Sequence, residues 1–438
     1  MSFSIDRQSQ EELNLMGKFR QGSVYSIFNQ VKTRGGERLL DELFKNPLTD
    51  ENSINQRTAV FKFFQQSKLP FPFDPQQVLL MQEYTDQSGS GSQFSVYASV
   101  MLKKTLSSLT RDERYKALIQ GLQATIMTLK KCLGIVELLH SMQGPFQQRT
   151  AEIRTILHAR QMAALIDTDI YSGISVKKIA EYDHLLKNTF NQQVVMVLQF
   201  IAELDVNIAV GDIAATKGFT WAVALPKHKN VFNAADLKHP SIDKAIGNSI
   251  AMKENSNVIF LTGANMAGKS TWMKTIGISM YLAHLGFPVA ATSMEFSVRE
   301  GIYSSINVAD NIALGYSHFY AEVVRVKNAA DATRTGKHLL LMFDELFKGT
   351  NVKDAFDGTL AVTEAFSEYA NCLFIVSTHI IEVGEQLKNR NNIQFNYMPT
   401  ILDGNVPRYT YRLKEGITED RQGMMIIRNE GIIEMIGH

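Results

Sequence analysis

The chain has 438 residues, 45 % of them hydrophobic, which is enough for two or three globular domains and excludes disorder over any large part of the molecule. Lysine and arginine number 45 against 44 aspartates and glutamates, so net charge makes no case for nucleic acid, and any such surface has to be a local patch. Cys132 and Cys372 form no C-x-x-C pair, which removes a disulfide framework and a cysteine zinc site and reads as core thiols in a reducing compartment. The polar N-terminus lacks the apolar core of a secretory leader, and no uninterrupted apolar stretch approaches the ~20 residues of a membrane helix. The expectation is a cytoplasmic protein without membrane association.

Prolines punctuate the first half sparsely, with none between Pro75 and Pro145 or between Pro145 and Pro226. From 112 to 142 the apolar residues Leu118, Leu122, Ile126, Leu129, Leu133, Val136 and Leu139 recur at three- and four-residue steps, predicting one long amphipathic helix. Residues 146–166 and 176–205 carry the same period and read as further long helices, interrupted only by 167–175. The Gly/Ser-rich stretch 83–97 reads as a surface loop.

Beyond about residue 225 the grammar changes. Strands are expected at 257–262, 339–343, 373–377, 393–398 and 408–413, alternating with helices at 269–285, 317–334, 354–370 and 380–388. That alternation predicts a mostly parallel sheet covered on both faces. The fold class is therefore α plus α/β, with a helical domain over 1–225 and an α/β domain over 226–438.

Inside the second half lies the most informative segment. Val258 to Leu261 is a buried-strand pattern that runs into Gly263-Ala-Asn-Met-Ala-Gly-Lys-Ser270, the spacing G-x-x-x-x-G-K-S of a phosphate-binding loop. Gly263 and Gly268 let the backbone amides turn inward toward phosphates, Lys269 places a cation on the β and γ oxygens, and Ser270 offers a hydroxyl to Mg²⁺. A purine nucleotide, ATP or GTP, is the expected ligand. Further on, Leu339 to Phe343 is an apolar strand ending in Asp344-Glu345, which puts Asp344 at the Mg²⁺ shell and leaves Glu345 to polarise a water. The strand Leu373 to Ser377 ends at Thr378-His379, where His379 either contacts the γ-phosphate or is structural. Ser317 stands before a helix, as a plain N-cap or as a donor to phosphate.

Together these residues resemble one family. Thr262 to Thr271, Ala309 to Phe319, Asp344-Glu345 with Gly349-Thr350, and Ser377-Thr378-His379 occur in the order of the MutS mismatch-repair ATPases, and Asn265-Met266 inside the loop is a mark of that family. Ser23 to Leu40, Asn46-Pro47-Leu48, Ala202 to Asp205 and His239-Pro240 extend the likeness upstream to its core and lever segments. The resemblance implies an ABC-type ATPase domain that dimerises and sandwiches each nucleotide between subunits. On this pattern Gly263, Ala264, Asn265, Met266, Ala267, Gly268, Lys269, Ser270 and Thr271 cradle ATP, and Asp344 and Glu345 handle Mg²⁺ and water. Ser317 reaches the partner's nucleotide in trans, and His379 senses the γ-phosphate.

Departures from the pattern shape the functional expectation. Only about twenty residues precede the core, so the family's mismatch-reading domain is not expected, and 167–175 leaves no room for its strand-rich clamp. Tyr316 and His318 replace the arginine and threonine that flank the signature serine, and Ala264 and Ala267 stand where proline and glycine are usual. The leading expectation is a homodimeric, Mg²⁺-dependent ATPase that couples hydrolysis to DNA without reading mismatches. The alternative is a nucleotide-switched assembly module with no DNA role, since Lys103-Lys104, Lys130-Lys131 and Lys177-Lys178 read as solvated helix faces more readily than as phosphate contacts.

Overall fold

A computed structural model describes residues 2–17, 22–87, 91–110, 113–170, 174–306, 318–403, 406–418 and 435–436. It separates into two compact units that interleave along the chain. One comprises Met1–Phe28, Phe44–Thr58 and Ile213–His438, the other Asn29–Leu43 and Ala59–Asp212. The units are thus not consecutive segments that meet near residue 225.

The chain opens with β1 (Ser4–Ile5) and α1 (Arg7–Glu12), followed by α2 (Val24–Phe28), α3 (Arg34–Lys45), α4 (Glu51–Ser67), α5 (Pro75–Thr85) and α6 (Gln93–Thr110). Then come α7 (Arg114–Met142), α8 (Gln147–Leu157), α9 (Arg160–Ile166), α10 (Val176–His184) and α11 (Asn191–Lys217). Among the described residues of the second unit there is no strand.

Local chemistry sets the helix boundaries. Asp74 caps α5 by accepting from Gln76 N at 2.8 Å, with Pro75 in the first turn where its missing N–H costs nothing. Ser92 accepts from Ser95 N at 3.4 Å at the start of α6, and the expected loop 83–97 loses its ends to α5, which runs to Thr85, and to α6, which starts at Gln93. The expected helix 146–166 breaks at His158-Ala159. A straight helix would carry Met162 about 140° around from Leu157; the break lets Ile153, Leu157, Met162 and Leu165 all face the core. Likewise a π-helical turn over Leu185–Thr189 divides the expected helix 176–205.

In α7 the predicted stripe Leu118, Leu122, Ile126, Leu129, Val136 and Leu139 is buried, joined by Phe64, Phe146 and Phe200 in one core. Helix α11 is long and apolar enough to cross a membrane by composition, yet 72 % of its most apolar window is buried inside the protein. Within that core Asp205 is 2 % exposed and accepts from Lys32 N, Thr33 N and Thr33 Oγ1, the last two at 2.7 Å, holding the start of α3. Gly36 has to be glycine, because an added Cβ would lie 2.4 Å from Asp205 Oδ2.

The first unit holds the sheets. Its strands are β2 (Val223–Leu225), β3 (Phe232–Leu237), β4 (Asn248–Met252), β5 (Val258–Gly263), β6 (Ser293–Ser297), β7 (Gly301–Ser305), β8 (Leu339–Asp344), β9 (Leu373–Ser377), β10 (Ile393–Met398), β11 (Thr400–Asp403), β12 (Val406–Tyr409) and β13 (Lys414–Glu415). Its helices after α11 are α12 (Lys269–His284), α13 (His318–Arg334), α14 (Val352–Ser367) and α15 (Ile381–Leu387). The main sheet has the order β1-β7-β8-β9-β5-β10-β13, parallel except for β13. Strands β5, β8 and β9 are buried at every position, as expected of central parallel strands.

Strands β1, β7 and β13 of the main sheet were not anticipated, and two further differences stand out. A small mixed sheet, β2-β6-β3-β4, forms from short strands with alternating burial. The expected strand 408–413 instead ends with β12 at Tyr409, because Tyr411 adopts φ +55°, a left-handed conformation that no strand continues through.

Candidate functional site

The site is built where parallel strands end. Strand register sets Leu261 of β5 beside Ser377 of β9, and Ser377 beside Asp344 of β8, so the segments following these three strands converge at their carboxyl ends, the usual ligand side of an open α/β sheet. Gly263 (φ +145°) and Gly268 (φ +103°) bracket the loop between β5 and α12. A Cβ at Gly268 would also stand 3.0 Å from the Tyr411 ring, so both backbone angle and space require glycine there. Met266 adopts φ +66° with its side chain 76 % exposed, a conformation costly for a residue with a Cβ and one that concentrates at ligand clamps.

Lys269 is 5 % exposed and donates to the loop's own carbonyls, Gly263 O at 2.9 Å and Ala264 O at 3.2 Å, while its Nζ lies 3.4 Å from His379 Nε2. Burial pushes its ammonium below the usual lysine value against the opposing pull of Asp344 and Glu345. Ser270 Oγ donates to Asp344 Oδ2. Among the described residues the other oxygen, Asp344 Oδ1, is buried without a partner. A serine hydroxyl beside a carboxylate with a free buried oxygen is the hard-oxygen donor set that Mg²⁺ accepts, so these residues fit a magnesium ion.

Glu345 follows at φ +53°, its amide bonded to Ser377 O at 2.8 Å. Its Oε1 lies 2.6 Å from His379 Nε2, and that hydrogen bond holds the carboxyl below the ordinary glutamate range despite burial. Lysine, serine, aspartate, glutamate and histidine are therefore in one place. Ala264, Asn265, Met266 and Thr271 line the adjoining cleft, while Ala267 is 1 % exposed with its amide bonded to Ala264 O at 3.3 Å. Ser317 lies outside the described residues.

The cleft beside the loop has a volume of about 620 Å³ and continues past Thr271 to Ile242, Ile246, Met398 and Tyr411. The structure brings the Tyr411 ring, 143 residues downstream of Gly268, to lie beside that glycine. Asn248 holds it there, donating to Tyr411 O at 2.9 Å and accepting from Leu413 N at 2.7 Å. The only local signal for this was two tyrosines in a stretch of otherwise weak strand pattern.

A strand–glycine loop–helix unit faced by a carboxylate pair defines the general class, and comparison with known sequences narrows it. Residues 259–436 match MutS domain V, and residues 8–210 match MutS domain III. The chain belongs to the MutS family. It is 27 % identical over 285 residues to a DNA mismatch repair protein MutS of Wolbachia pipientis wMel, covering 64 % of this chain and 32 % of that protein. The corresponding protein of Bacillus cytotoxicus is 27 % identical over 280 residues, 62 % of this chain and 30 % of its own. DNA mismatch repair protein spellchecker 1 of Drosophila melanogaster is 25 % identical over 236 residues, 52 % and 26 % respectively. The matched region thus spans about a third or less of each relative's length.

Proposed function

We propose that this chain is a Mg²⁺-dependent ATPase whose site is completed by a second copy, and that it couples hydrolysis to DNA. The supporting observation is the convergence of Lys269, the Ser270–Asp344 pair and the Glu345–His379 pair at the carboxyl ends of β5, β8 and β9. The relatives named above are mismatch repair proteins.

On this reading, ATP lies with its base toward Tyr411 and Ile246 and its phosphates on the loop amides. Lys269 leaves the carbonyls of Gly263 and Ala264 for the phosphate oxygens. Ser270 and Asp344 would hold Mg²⁺, which would supply charge neutralisation on the triphosphate. Glu345, ionised across the neutral range, orients and deprotonates the attacking water, and His379 positions that carboxylate. The ABC-type domain, the dimer, the trans role of Ser317 and the cytoplasmic setting belong to the same proposal.

The test is steady-state hydrolysis by wild type and Lys269→Ala with and without single-stranded, duplex, mismatched and four-way-junction DNA. Equal activity of the two proteins removes the enzymatic claim. Absence of DNA stimulation and of salt-sensitive DNA binding shifts the reading to the assembly module. One observation favours that second reading: Phe94, Leu102 and Leu109 of α6 are 80 %, 59 % and 81 % exposed, an apolar face beyond what scattered surface residues explain.

A further inference from the structure

Outside the cleft, a buried polar network of the first unit centres on Arg325 in α13. Its side chain is 7 % exposed, its guanidinium bonds Asp6 through both terminal nitrogens, and it donates to Ser9 Oγ at 2.7 Å and to Ser304 O at 2.9 Å from Nε. Ser9 Oγ in turn accepts from Ser304 N at 2.9 Å, and Glu12 accepts from Ser304 Oγ and, at 3.1 Å, from Ile306 N. Residues 4–12 therefore form a strap: β1 extends the main sheet beyond β7, Asp6 at the N-cap of α1 and Ser9 within it hold Arg325 of α13, and Ser9 and Glu12 hold Ser304 and Ile306 at the end of β7.

Two turns before Arg325, the same helix meets the catalytic loop. Phe319 packs edge-on against Phe347 with ring centroids 6.1 Å apart, and its backbone N lies 3.0 Å from where a Cβ on Gly349 would be. Phe347 adopts φ +62° two residues after Glu345 at φ +53°. Two non-glycine residues in left-handed backbone so close together persist only where packing over-determines them. Here the wedge is Phe347, gripped between Phe319 of α13 and Gly358 of α14, where an added Cβ would meet its ring at 2.9 Å.

We propose that Arg325 is a positioning residue for the hydrolytic site: by fixing α13 to the N-terminal strap it holds Phe319 against Phe347 and so keeps the Glu345 carboxylate in its strained, His379-bonded place. This rests on the reading of Glu345 as the water-activating group. Arg325 does not line the cleft, so its removal acts on turnover rather than on binding. Lysine cannot substitute, since an ammonium lacks the planar fork that reaches Asp6, Ser9 and the Ser304 carbonyl together.

The experiment compares wild type, Arg325→Lys, the milder Asp6→Asn and Phe347→Leu by amide hydrogen exchange, thermal melting, nucleotide titration and turnover. The expected result is at least about tenfold faster exchange at the Glu345 and Thr350 amides, unchanged exchange in β5, nucleotide affinity within about twofold and kcat down about tenfold. In the Arg325→Lys, Phe347→Leu double variant the two losses are expected to be non-additive. Unchanged exchange at 345–350 in folded Arg325→Lys and Asp6→Asn overturns the proposal, as does a uniform rise across the whole unit in step with the fall in melting temperature. If wild type hydrolyses no ATP, the role assigned to Glu345 fails, while the exchange data still decide whether Arg325 governs that loop.

Discussion

Ser270 donates its hydroxyl to the Asp344 carboxylate, joining the first turn of α12 to the end of β8 across 74 residues of sequence. The bond occupies one carboxylate oxygen and leaves Asp344 Oδ1 buried without a partner among the described residues. A buried free acceptor is costly unless a cation or donor joins it. Asp344→Asn and Ser270→Ala are therefore expected to weaken Mg²⁺ activation about tenfold or more, with binding of metal-free nucleotide little changed. Magnesium titration of turnover beside nucleotide titration in EDTA checks this, and parallel losses in both would remove the metal assignment.

Glu345 carries the pH dependence. Its carboxyl is held below the ordinary glutamate range by the hydrogen bond to His379, against burial, so it is ionised as a base above that depressed value and loses activity as pH falls through it. Replacing His379 by alanine removes the largest lowering influence and leaves burial opposed only by Lys348 and Lys269, so the acid limb of the kcat profile is expected to move to higher pH. Glu345→Gln is expected to lower kcat by about 10²- to 10⁴-fold with nucleotide still bound. An acid limb that stays in place in His379→Ala argues against this coupling.

How much of this was legible beforehand depends on the range of the signal. The phosphate loop, β8 with Asp344-Glu345, and β9 with His379 are local patterns, each a buried apolar run ending in polar groups, and the structure brings all of them together. The stripe of α7 was equally legible because period and burial coincide. What escaped is non-local or compensated. The strap of Asp6 and Ser9 on Arg325 pairs residues more than 300 positions apart, and Tyr411 reaches the cleft through a left-handed turn that its own neighbours disguise as strand. The small sheet was missed because strands of three to six residues with alternating burial carry little period.

The apolar end of the cleft gives a separate prediction. A base stacked on an aromatic ring contributes about 1–3 kcal/mol, so Tyr411→Ala is expected to weaken nucleotide binding roughly tenfold, and Tyr411→Phe hardly at all. Asn248→Ala should mimic the alanine variant in part, because it frees the backbone at 411 and 413 that Asn248 clips. Fluorescent nucleotide titration decides; wild-type affinity in Tyr411→Ala would place the base elsewhere.

Asp6 and Arg325 supply a stability signature independent of catalysis. Burial alone would raise the Asp6 carboxyl, but its bonds to Arg325 and to the Ser9 amide outweigh that and hold it below its usual value. A carboxylate depressed in the folded state contributes stability that is fully present above its unfolded value of 3.8 and is lost as pH falls through the folded one. Asp6→Asn is thus expected to cost about 1–2 kcal/mol at neutral pH, the lower part of the range for charged hydrogen bonds because the aspartate is one-third exposed. The difference from wild type should shrink steadily below pH 4. Chemical denaturation of both proteins from pH 7 to pH 3 measures it, and a gap that is constant across that range would mean that Asp6 acts through shape rather than charge.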